Sequence, residues 1–559
     1  MLHTIRTFST CVVAGILLAL CYPGFNFSYL IWLWMIPLLF VLWFPGPGIS
    51  RRRRIVRGFA LGYICGLSFF LINLSWLHHI HLAACTLLPA FLAIYFGVWG
   101  AFAATVGRPA FLLEKPTELP QGKHLPLVPT AIQSCYAALL NGGAWCGLEW
   151  MRGWALSGFG WNGLGVALHE NLILIQVADI IGVTGLAFIV VFCSSVATSI
   201  IVRTIAELKL GSMRAHLDFP VAVILVCGAF FYGTGKLSTP PGETINLRIL
   251  LVQGGIDQDE KWDSGHARAI YEKYRRMTEQ YTSIADFDLV IWPESSLPYS
   301  LNDPFNKTFL EQLMHENKFA LVMGINENVI GEGIYNSIAV VEGGTASQKT
   351  YRKIHLVPFG EYVPFRDTFP FLERIASNQI GVDFTPGHEP VPIKMTSPHP
   401  YSIIPLVCFE DTFGNLARKF VRDSPQLIIN VTNDGWFGQS AASAQHQANA
   451  VFRCIELRKP MARAANTGIT CLIDSYGSLY DRWSDNLGGK RQVMDPETGS
   501  TFIEASLPEM ISIPVKSKET FYAKAGDIFS ILLGSLSLIV ALGKLVGTRG
   551  QSPCLNQHH

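Results

Sequence analysis

Pro405-Leu-Val-Cys408-Phe409-Glu410-Asp411 joins an apolar run, typical of a buried β-strand, to a cysteine that two carboxylates follow. A thiol at the end of such a strand can attack an acyl carbon while the next backbone N–H groups stabilise the oxyanion. An isolated cysteine is more often a small buried hydrophobe. Cys408 is therefore a candidate nucleophile whose partners have to come from elsewhere in the chain.

Two upstream stretches supply those partners. Leu289-Val-Ile-Trp-Pro-Glu294 ends a second apolar run in a carboxylate, and Tyr351-Arg-Lys353 is followed by a further carboxylate at Glu361. A carboxylate can accept the thiol proton, and a lysine can stabilise thiolate and oxyanion, which lowers an ordinary thiol pKa of about 8.5. The pattern indicates a catalytic set of Glu294, Lys353 and Cys408.

The order of these three motifs resembles that of the nitrilase superfamily, whose triad is Glu, Lys and Cys, each near a strand end. Several downstream stretches are similar as well: Asn433-Asp-Gly-Trp436-Phe-Gly438, Gln445-His446, Arg453, Glu456, Arg458-Lys-Pro and Arg463-Ala-Ala-Asn-Thr-Gly468. The resemblance implies a nitrilase-like (CN hydrolase) α/β domain built as an α-β-β-α sandwich.

The composition indicates that part of the chain lies in lipid. Of 559 residues, 50% are hydrophobic and only 15% are charged, against about a quarter in ordinary soluble proteins. The net charge of +1 offers no argument for nucleic-acid binding. The apolar residues are concentrated before residue 240 and after residue 524.

Eight apolar segments are near the roughly 20 residues that cross a bilayer. They are 8–24, 29–44, 57–76, 86–106, 131–150, 172–202, 219–237 and 525–547. The first could be a signal peptide, but a second segment follows almost at once, which favours an uncleaved span. We therefore predict a transmembrane domain of about seven helices (1–237), a catalytic domain (238–524), a closing transmembrane helix (525–547) and a cytoplasmic tail (548–559).

Basic residues predict the orientation of these spans. Arg51-Arg-Arg-Arg54, Arg108 with Lys115, and Arg203 with Lys209 fall in three loops on the same side of the membrane. The positive-inside rule makes that side cytoplasmic. Both termini should therefore be cytoplasmic and the catalytic domain should face the opposite compartment.

The loops on the other side carry aromatic and polar side chains. Glu149-Trp-Met-Arg152-Gly-Trp154 and Ser157-Gly-Phe-Gly-Trp161 form either an interfacial aromatic belt or a lipid-facing entrance under the catalytic domain. His78, His79 and His81 lack a Cys or carboxylate at ligand spacing. No metal and no cofactor is expected.

Between residues 238 and 524, short apolar runs alternate with amphipathic segments, which predicts an α/β domain. The predicted strands are 247–252, 289–292, 320–325, 335–338, 350–355, 403–408 and 426–431, and the main predicted helices are 266–285, 307–318 and 441–457. A loop near Phe365 to Asp383 is predicted to be mobile, because it is long and lacks periodicity.

The combination of several spans, an inserted nitrilase-like domain and one closing span resembles the apolipoprotein N-acyltransferase family over nearly the whole chain. That resemblance implies a multi-pass protein of the bacterial inner membrane whose catalytic domain faces the periplasm. The implied donor is a phospholipid of the phosphatidylethanolamine type, and the implied acceptor is the N-terminal diacylglyceryl-cysteine of an apolipoprotein. We expect a monomer with no nucleic-acid partner.

The same resemblance implies a ping-pong mechanism through a thioester on Cys408. Glu294 would act as base, and Lys353 with the Phe409 N–H would hold the oxyanion. The implied supporting or substrate-binding residues are Trp262, Asn336, Glu361, Phe409, Glu410 and Trp436. Family members commonly carry tyrosine at the position of Phe409, so any role of a phenol hydroxyl there is lost.

Simpler interpretations remain for several of these residues. Glu361 could brace a loop, Glu410 could satisfy buried backbone groups, and Trp262 and Trp436 could be packing aromatics. The chain could also be a membrane-tethered hydrolase of small amides, or a non-catalytic transport or scaffold protein. The complete Glu294, Lys353 and Cys408 set argues against the last of these.

Overall fold

A computed structural model describes residues 2–46, 48–112, 125–261, 264–315, 317–343, 348–368, 383–482 and 489–547. Most of the loop expected to be mobile, 365–383, lies outside these residues, as do Trp262 and the tail 548–559.

The N-terminal part is helical. Its helices are α1 (Leu2–Ala19), α2 (Met35–Trp43), α3 (Arg51–Asn73), α4 (Leu82–Ala103), α5 (Leu127–Arg152), α6 (Ala178–Lys209) and α7 (Asp218–Leu237). Within the described residues, four helical stretches are long and apolar enough to cross a membrane: Arg51–Asn73, Leu82–Ala103, Leu174–Lys209 and Asp218–Leu237. Shorter apolar helices cover Ile5–Ala19, Ser28–Trp43 and Ile528–Lys544. The count of eight spans, and the domain boundaries, stay predictions.

The remaining helices are α8 (Gln258–Lys261), α9 (Ala267–Thr282), α10 (Pro304–His315), α11 (Gly414–Ala417), α12 (Ala442–Leu457), α13 (Phe521–Ala525) and α14 (Ile528–Gly547). The strands are β1 (Thr244–Gln253), β2 (Leu289–Trp292), β3 (Ala320–Val329), β4 (Gly333–Val341), β5 (Gln348–Arg352), β6 (Ile393–Met395), β7 (Tyr401–Val407), β8 (Gln426–Thr432), β9 (Met461–Ala465), β10 (Cys471–Ile473) and β11 (Ala505–Pro514).

These strands form two mixed sheets in the described part of the chain. One has the order β11-β1-β2-β3-β4-β5 and the other the order β10-β9-β8-β7-β6. The central pairs β1–β2, β2–β3, β7–β8 and β8–β9 are parallel, so the chain leaves these strands at the same edge of each sheet.

Burial along β1 shows how the sheets are layered. Leu247, Ile249 and Leu251 belong to the core shared with the second sheet, whereas Leu250 and Val252 pack in a separate cluster with α9 and α10. Alternate side chains of a strand point to opposite faces. The first sheet is therefore covered by helices outside and by the second sheet inside, which confirms the predicted α/β sandwich.

Helices of the membrane part approach closely at glycines. A Cβ atom on Gly100 of α4 would lie 2.5 Å from the carbonyl oxygen of Gly58 in α3. Gly147 of α5 and Gly534 of α14 meet in the same way, with 2.7 Å from a Cβ on Gly534 to the Cα of Gly147. Small residues at such crossings permit close backbone packing. After the catalytic domain, α14 therefore returns to the same helix bundle.

Candidate active site

The predicted triad residues all follow the ends of strands. Glu294 comes two residues after β2, Lys353 directly after β5, and Cys408 directly after β7. All three side chains are buried, with 7%, 1% and 9% of their surface exposed. The charges of Glu294 and Lys353 both act on the Cys408 thiol, so the fold brings the three groups into one site.

Asn336 and Glu361 connect the two charged members of this set. The Asn336 amide, on β4, donates to Glu294 Oε1 at 2.7 Å and to Glu361 Oε1 at 2.9 Å. Lys353 Nζ lies 2.8 Å from Glu361 Oε2, and the Lys353 N–H donates to the Asn336 carbonyl at 2.8 Å. Glu361 also accepts the N–H of Val357, so it both braces its loop and holds the lysine.

The electrostatics of this site keep protons on the sulfur and the lysine. Burial raises the pKa of Cys408, the Glu294 charge raises it further, and Lys353 only partly opposes both. Burial alone would lower the pKa of Lys353, but Glu361 and Glu294 outweigh it and raise that pKa. Burial also raises the pKa of Glu294. The resting site therefore holds a thiol and an ammonium beside a carboxyl group that is a better base than in water.

Cys408 occupies a sharp turn between β7 and a short 3₁₀ helix, Cys408–Thr412. Its φ angle of +51° lies in the left-handed region that is uncommon for residues other than glycine. The first N–H groups of a helix lack acceptors within that helix. The Phe409 N–H lies in this first turn, where a donor can meet an oxyanion.

Glu410 ties this turn to the lysine segment. Its Oε2 accepts the Val407 N–H at 2.8 Å, and its Oε1 accepts the N–H groups of Ile354 and His355 at 2.8 and 3.0 Å. Oε1 also accepts the Tyr351 hydroxyl at 2.9 Å. Glu410 therefore satisfies buried backbone groups on both sides and fixes Lys353 relative to Cys408.

Phe409 faces the membrane half. Its ring lies 6.2 Å from the Trp161 ring and 6.1 Å from the Phe159 ring, in the loop rich in glycine and tryptophan. The hydroxyl of Ser157, in this loop, is hydrogen-bonded to the hydroxyl of Tyr362, in the catalytic domain, at 2.8 Å. The loop lies against the catalytic domain, and the lipid-facing entrance stays a prediction. Trp436, with 41% of its surface exposed, is not a core residue.

Lys261 is a site residue to which the sequence assigned no role. Its Nζ donates to the backbone oxygen of Glu294 at 2.8 Å, and the residue is 2% exposed. Burial lowers the pKa of Lys261 to about 8, against the attraction of Glu294 and Cys408. Its position directly before Trp262, which the family resemblance names as a supporting residue, was the only signal available. In the described residues, no three His, Cys, Asp or Glu side chains are grouped to hold a metal ion.

Comparison with known proteins connects this site to a family. The apolipoprotein N-acyltransferase of Geobacter metallireducens is 32% identical over 545 residues, covering 94% of this chain and 92% of its own. The chain belongs to the apolipoprotein N-acyltransferase family. The family member of Bradyrhizobium diazoefficiens is 29% identical, covering 96% of this chain and 95% of its own.

Two family models match separate parts of the chain. The model for the apolipoprotein N-acyltransferase N-terminal domain matches residues 14–196, and the model for carbon-nitrogen hydrolase matches 251–487. A solved CN-hydrolase superfamily protein from Xanthomonas campestris covers 48% of this chain and 91% of its own, at 17% identity and a TM-score of 0.32. As a member of the apolipoprotein N-acyltransferase family, the protein is an acyltransferase of the CN-hydrolase superfamily.

Proposed function

We propose that this enzyme transfers an acyl chain from a membrane phospholipid to the α-amine of a lipoprotein's N-terminal diacylglyceryl-cysteine, through a thioester on Cys408. The observation that carries the proposal is the turn at Cys408. A buried thiol shares its site with Glu294 and Lys353, while the next residue, Phe409, contacts the aromatic loop of the membrane half. A lipid reaching the nucleophile from that side would bring its ester to the sulfur.

In the first half-reaction, Glu294 takes the thiol proton and Cys408 Sγ attacks the ester carbonyl carbon. The Lys353 ammonium and the Phe409 N–H stabilise the oxyanion. As the carbon–oxygen ester bond breaks, Glu294 returns the proton to the departing glycerol oxygen. The products are a lysophospholipid and an acyl thioester on Cys408.

In the second half-reaction, the neutral α-amine of the acceptor attacks the thioester carbonyl. Glu294 takes the amine proton and the carbon–sulfur bond breaks, which leaves an amide on the lipoprotein. The same proton then restores the Cys408 thiol. Because the donor product leaves before the acceptor reacts, the kinetics should be ping-pong.

The supporting residues have separate roles in this proposal. Glu361 and Asn336 hold Lys353 and Glu294 in place, and Glu410 holds the Cys408 turn. Trp436 and Trp262 would contact the acyl chain or headgroup. The proposed setting is a monomer in the bacterial inner membrane, with the catalytic domain in the periplasm and both termini in the cytoplasm.

Intact mass spectrometry tests the donor half-reaction. The purified protein in detergent is incubated with phosphatidylethanolamine, and Cys408→Ser is compared with Cys227→Ser, which removes an exposed cysteine of α7. We expect the Cys227→Ser protein to gain one hydroxylamine-labile fatty acyl mass and the Cys408→Ser protein to gain none. No adduct on folded wild-type protein would remove phospholipid as the donor, and turnover of a soluble amide would then favour the amidase alternative.

A further inference from the structure

A buried cluster of four charged side chains lies beneath the Cys408 turn. Asp411, Asp434, His446 and Arg463 come from four different elements, and none of them has exposed surface. Arg463 Nη1 lies 2.5 Å from Asp411 Oδ2, and its Nη2 lies 3.3 Å from Asp434 Oδ2. The proposed mechanism uses none of these groups.

The geometry of His446 fixes its charge. Nδ1 lies 2.9 Å from Asp434 Oδ1, and Nε2 lies 2.9 Å from Asp411 Oδ1. Both acids are paired with Arg463, and an ionised carboxylate only accepts hydrogen bonds, so each ring nitrogen carries a proton. An imidazolium also makes the cluster electrically neutral, because two carboxylates then face two cations, His446 and Arg463. Burial and Arg463 alone would lower the pKa of His446, but Asp411 and Asp434 outweigh them and raise it.

The aromatic environment of His446 agrees with a cation. The ring of Trp161, from the membrane half, lies 4.9 Å from the imidazole ring. An aromatic face attracts a positive charge. The carboxylates of Asp411 and Asp434 contact His446, and Arg463 lies between the same two carboxylates.

His446 also reaches the nucleophile's own backbone. Its Nε2 lies 3.3 Å from the Cys408 carbonyl oxygen, and Asn430 Nδ2 donates to that oxygen at 3.1 Å. Cys408 has a left-handed backbone conformation, which persists only where the surroundings impose it. The Asn430 amide and the charged Nε2–H group, which Asp411 and this oxygen share, supply that constraint.

We infer that His446 is a positioning residue for the acyl transfer. As a buried imidazolium between Asp411 and Asp434, it holds the Cys408 carbonyl in place and so orients the sulfur toward the ester carbon. The inference rests on the proposed function for its chemistry, but the charge and the contacts are independent of the donor. Loss of the contact between His446 and the Cys408 carbonyl leaves the lipid-binding surfaces intact and displaces the sulfur. It should therefore affect the rate of thioester formation and not the donor concentration needed for half-saturation.

His446→Gln tests the inference against His399→Gln, which changes an exposed histidine in the same domain. Thioester formation is followed by intact mass spectrometry as a function of phosphatidylethanolamine concentration. We expect the rate at saturating lipid, per folded molecule, to fall by about tenfold or more in His446→Gln, with half-saturation unchanged within about twofold. A role in folding alone would lower the folded fraction and leave the rate per folded molecule as in His399→Gln, which would overturn the inference.

A second measurement does not depend on the folding of a variant. Imidazole ¹⁵N spectra of wild-type protein labelled at histidine should show one ring with both nitrogens protonated at the pH at which thioester formation is measured. A spectrum in which every histidine is neutral at that pH would overturn the inference even if His446→Gln does not fold. If the wild-type protein shows the charged ring but forms no thioester, the proposed function fails and the cation at His446 stands.

Discussion

A single amide, Asn336, donates to two carboxylates of the site, Glu294 and Glu361. A hydrogen bond to the charged form of an acid favours that form and lowers its pKa. Burial raises the pKa of Glu294, and the Lys353 charge and the Asn336 hydrogen bond both oppose this rise. If Glu294 is the base, as proposed, the acid side of the pH–rate profile therefore depends in part on this contact.

Asn336→Ala should move the acid limb of the profile for thioester formation to higher pH. Without the amide, the pKa of Glu294 rises further, so protonation removes the base at a higher pH than in the wild type. The measurement is the rate of acyl-mass gain between pH 5 and pH 9, with the exposed Asn328→Ala of β3 as control. An acid limb at the same pH in both variants would show that Asn336 does not stabilise the carboxylate.

The shared site of Glu294, Lys353 and Cys408 could be predicted from the sequence because each residue ends an apolar run or follows a strand. The charged cluster could not, because it depends on strand register. Arg463 lies opposite Asn430 in the β8–β9 pair, and it meets Asp411 only because β7 lies on the other side of β8. Periodicity identifies a strand but does not place one strand's side chains against another's.

At the scale of elements, most strands with apolar runs were predicted and several other strands were missed. β2 (Leu289–Trp292) and β8 (Gln426–Thr432) match their sequence predictions closely. β9 was missed because Met461-Ala-Arg-Ala-Ala465 is made of small residues around a buried arginine. β11 was missed because it carries polar residues and two prolines, as an edge strand does.

The packing of α3 on α4 yields a prediction at this scale. Gly100→Ala would place a methyl group 2.5 Å from the Gly58 carbonyl oxygen, so the helices have to move apart. Gly228→Ala makes the same change in α7, where no atom lies within 4 Å. We expect a lower melting temperature in detergent for Gly100→Ala only, since alanine is the better helix former by about 1 kcal/mol at an open site. Equal melting temperatures would mean that the α3–α4 contact tolerates separation.

At the scale of the molecule, one side chain joins the two halves. Gln445 Oε1, on α12, accepts both indole N–H groups of Trp76 and Trp161 at 3.0 Å, and its Nε2 donates to the Asn73 carbonyl at 3.0 Å. Each buried polar group left unpaired costs about 1–3 kcal/mol. The catalytic domain is therefore held on the bundle by polar contacts as well as by apolar ones.

Gln445→Leu should loosen this junction, because it leaves two indole N–H groups and one carbonyl without their partner. Hydrogen exchange should rise in residues 153–163, whereas β1 should stay protected. Gln280→Leu, at an exposed position of α9, is the matched control. Unchanged exchange in 153–163 would show that the Gln445 contacts do not hold the loop.

The proposed orientation can be tested across the membrane. Lys307→Cys lies on the catalytic domain and Met213→Cys lies in the loop between α6 and α7, and both positions are exposed. An impermeant maleimide should label the first in intact spheroplasts and the second only after lysis, as read by peptide mass spectrometry. The reverse pattern would place the catalytic domain in the cytoplasm.

The pairing of β1 with β11 also bears on how such an enzyme can arise. These strands pair from Thr244 with Pro514 to Gln253 with Ala505, so the first and last strands of the catalytic domain run side by side. Paired antiparallel residues lie about 5 Å apart at their Cα atoms. The whole catalytic domain could thus be inserted into the helical bundle at a single surface loop, because its two ends lie side by side. It could be exchanged for another domain at the same loop without altering the path of any membrane helix.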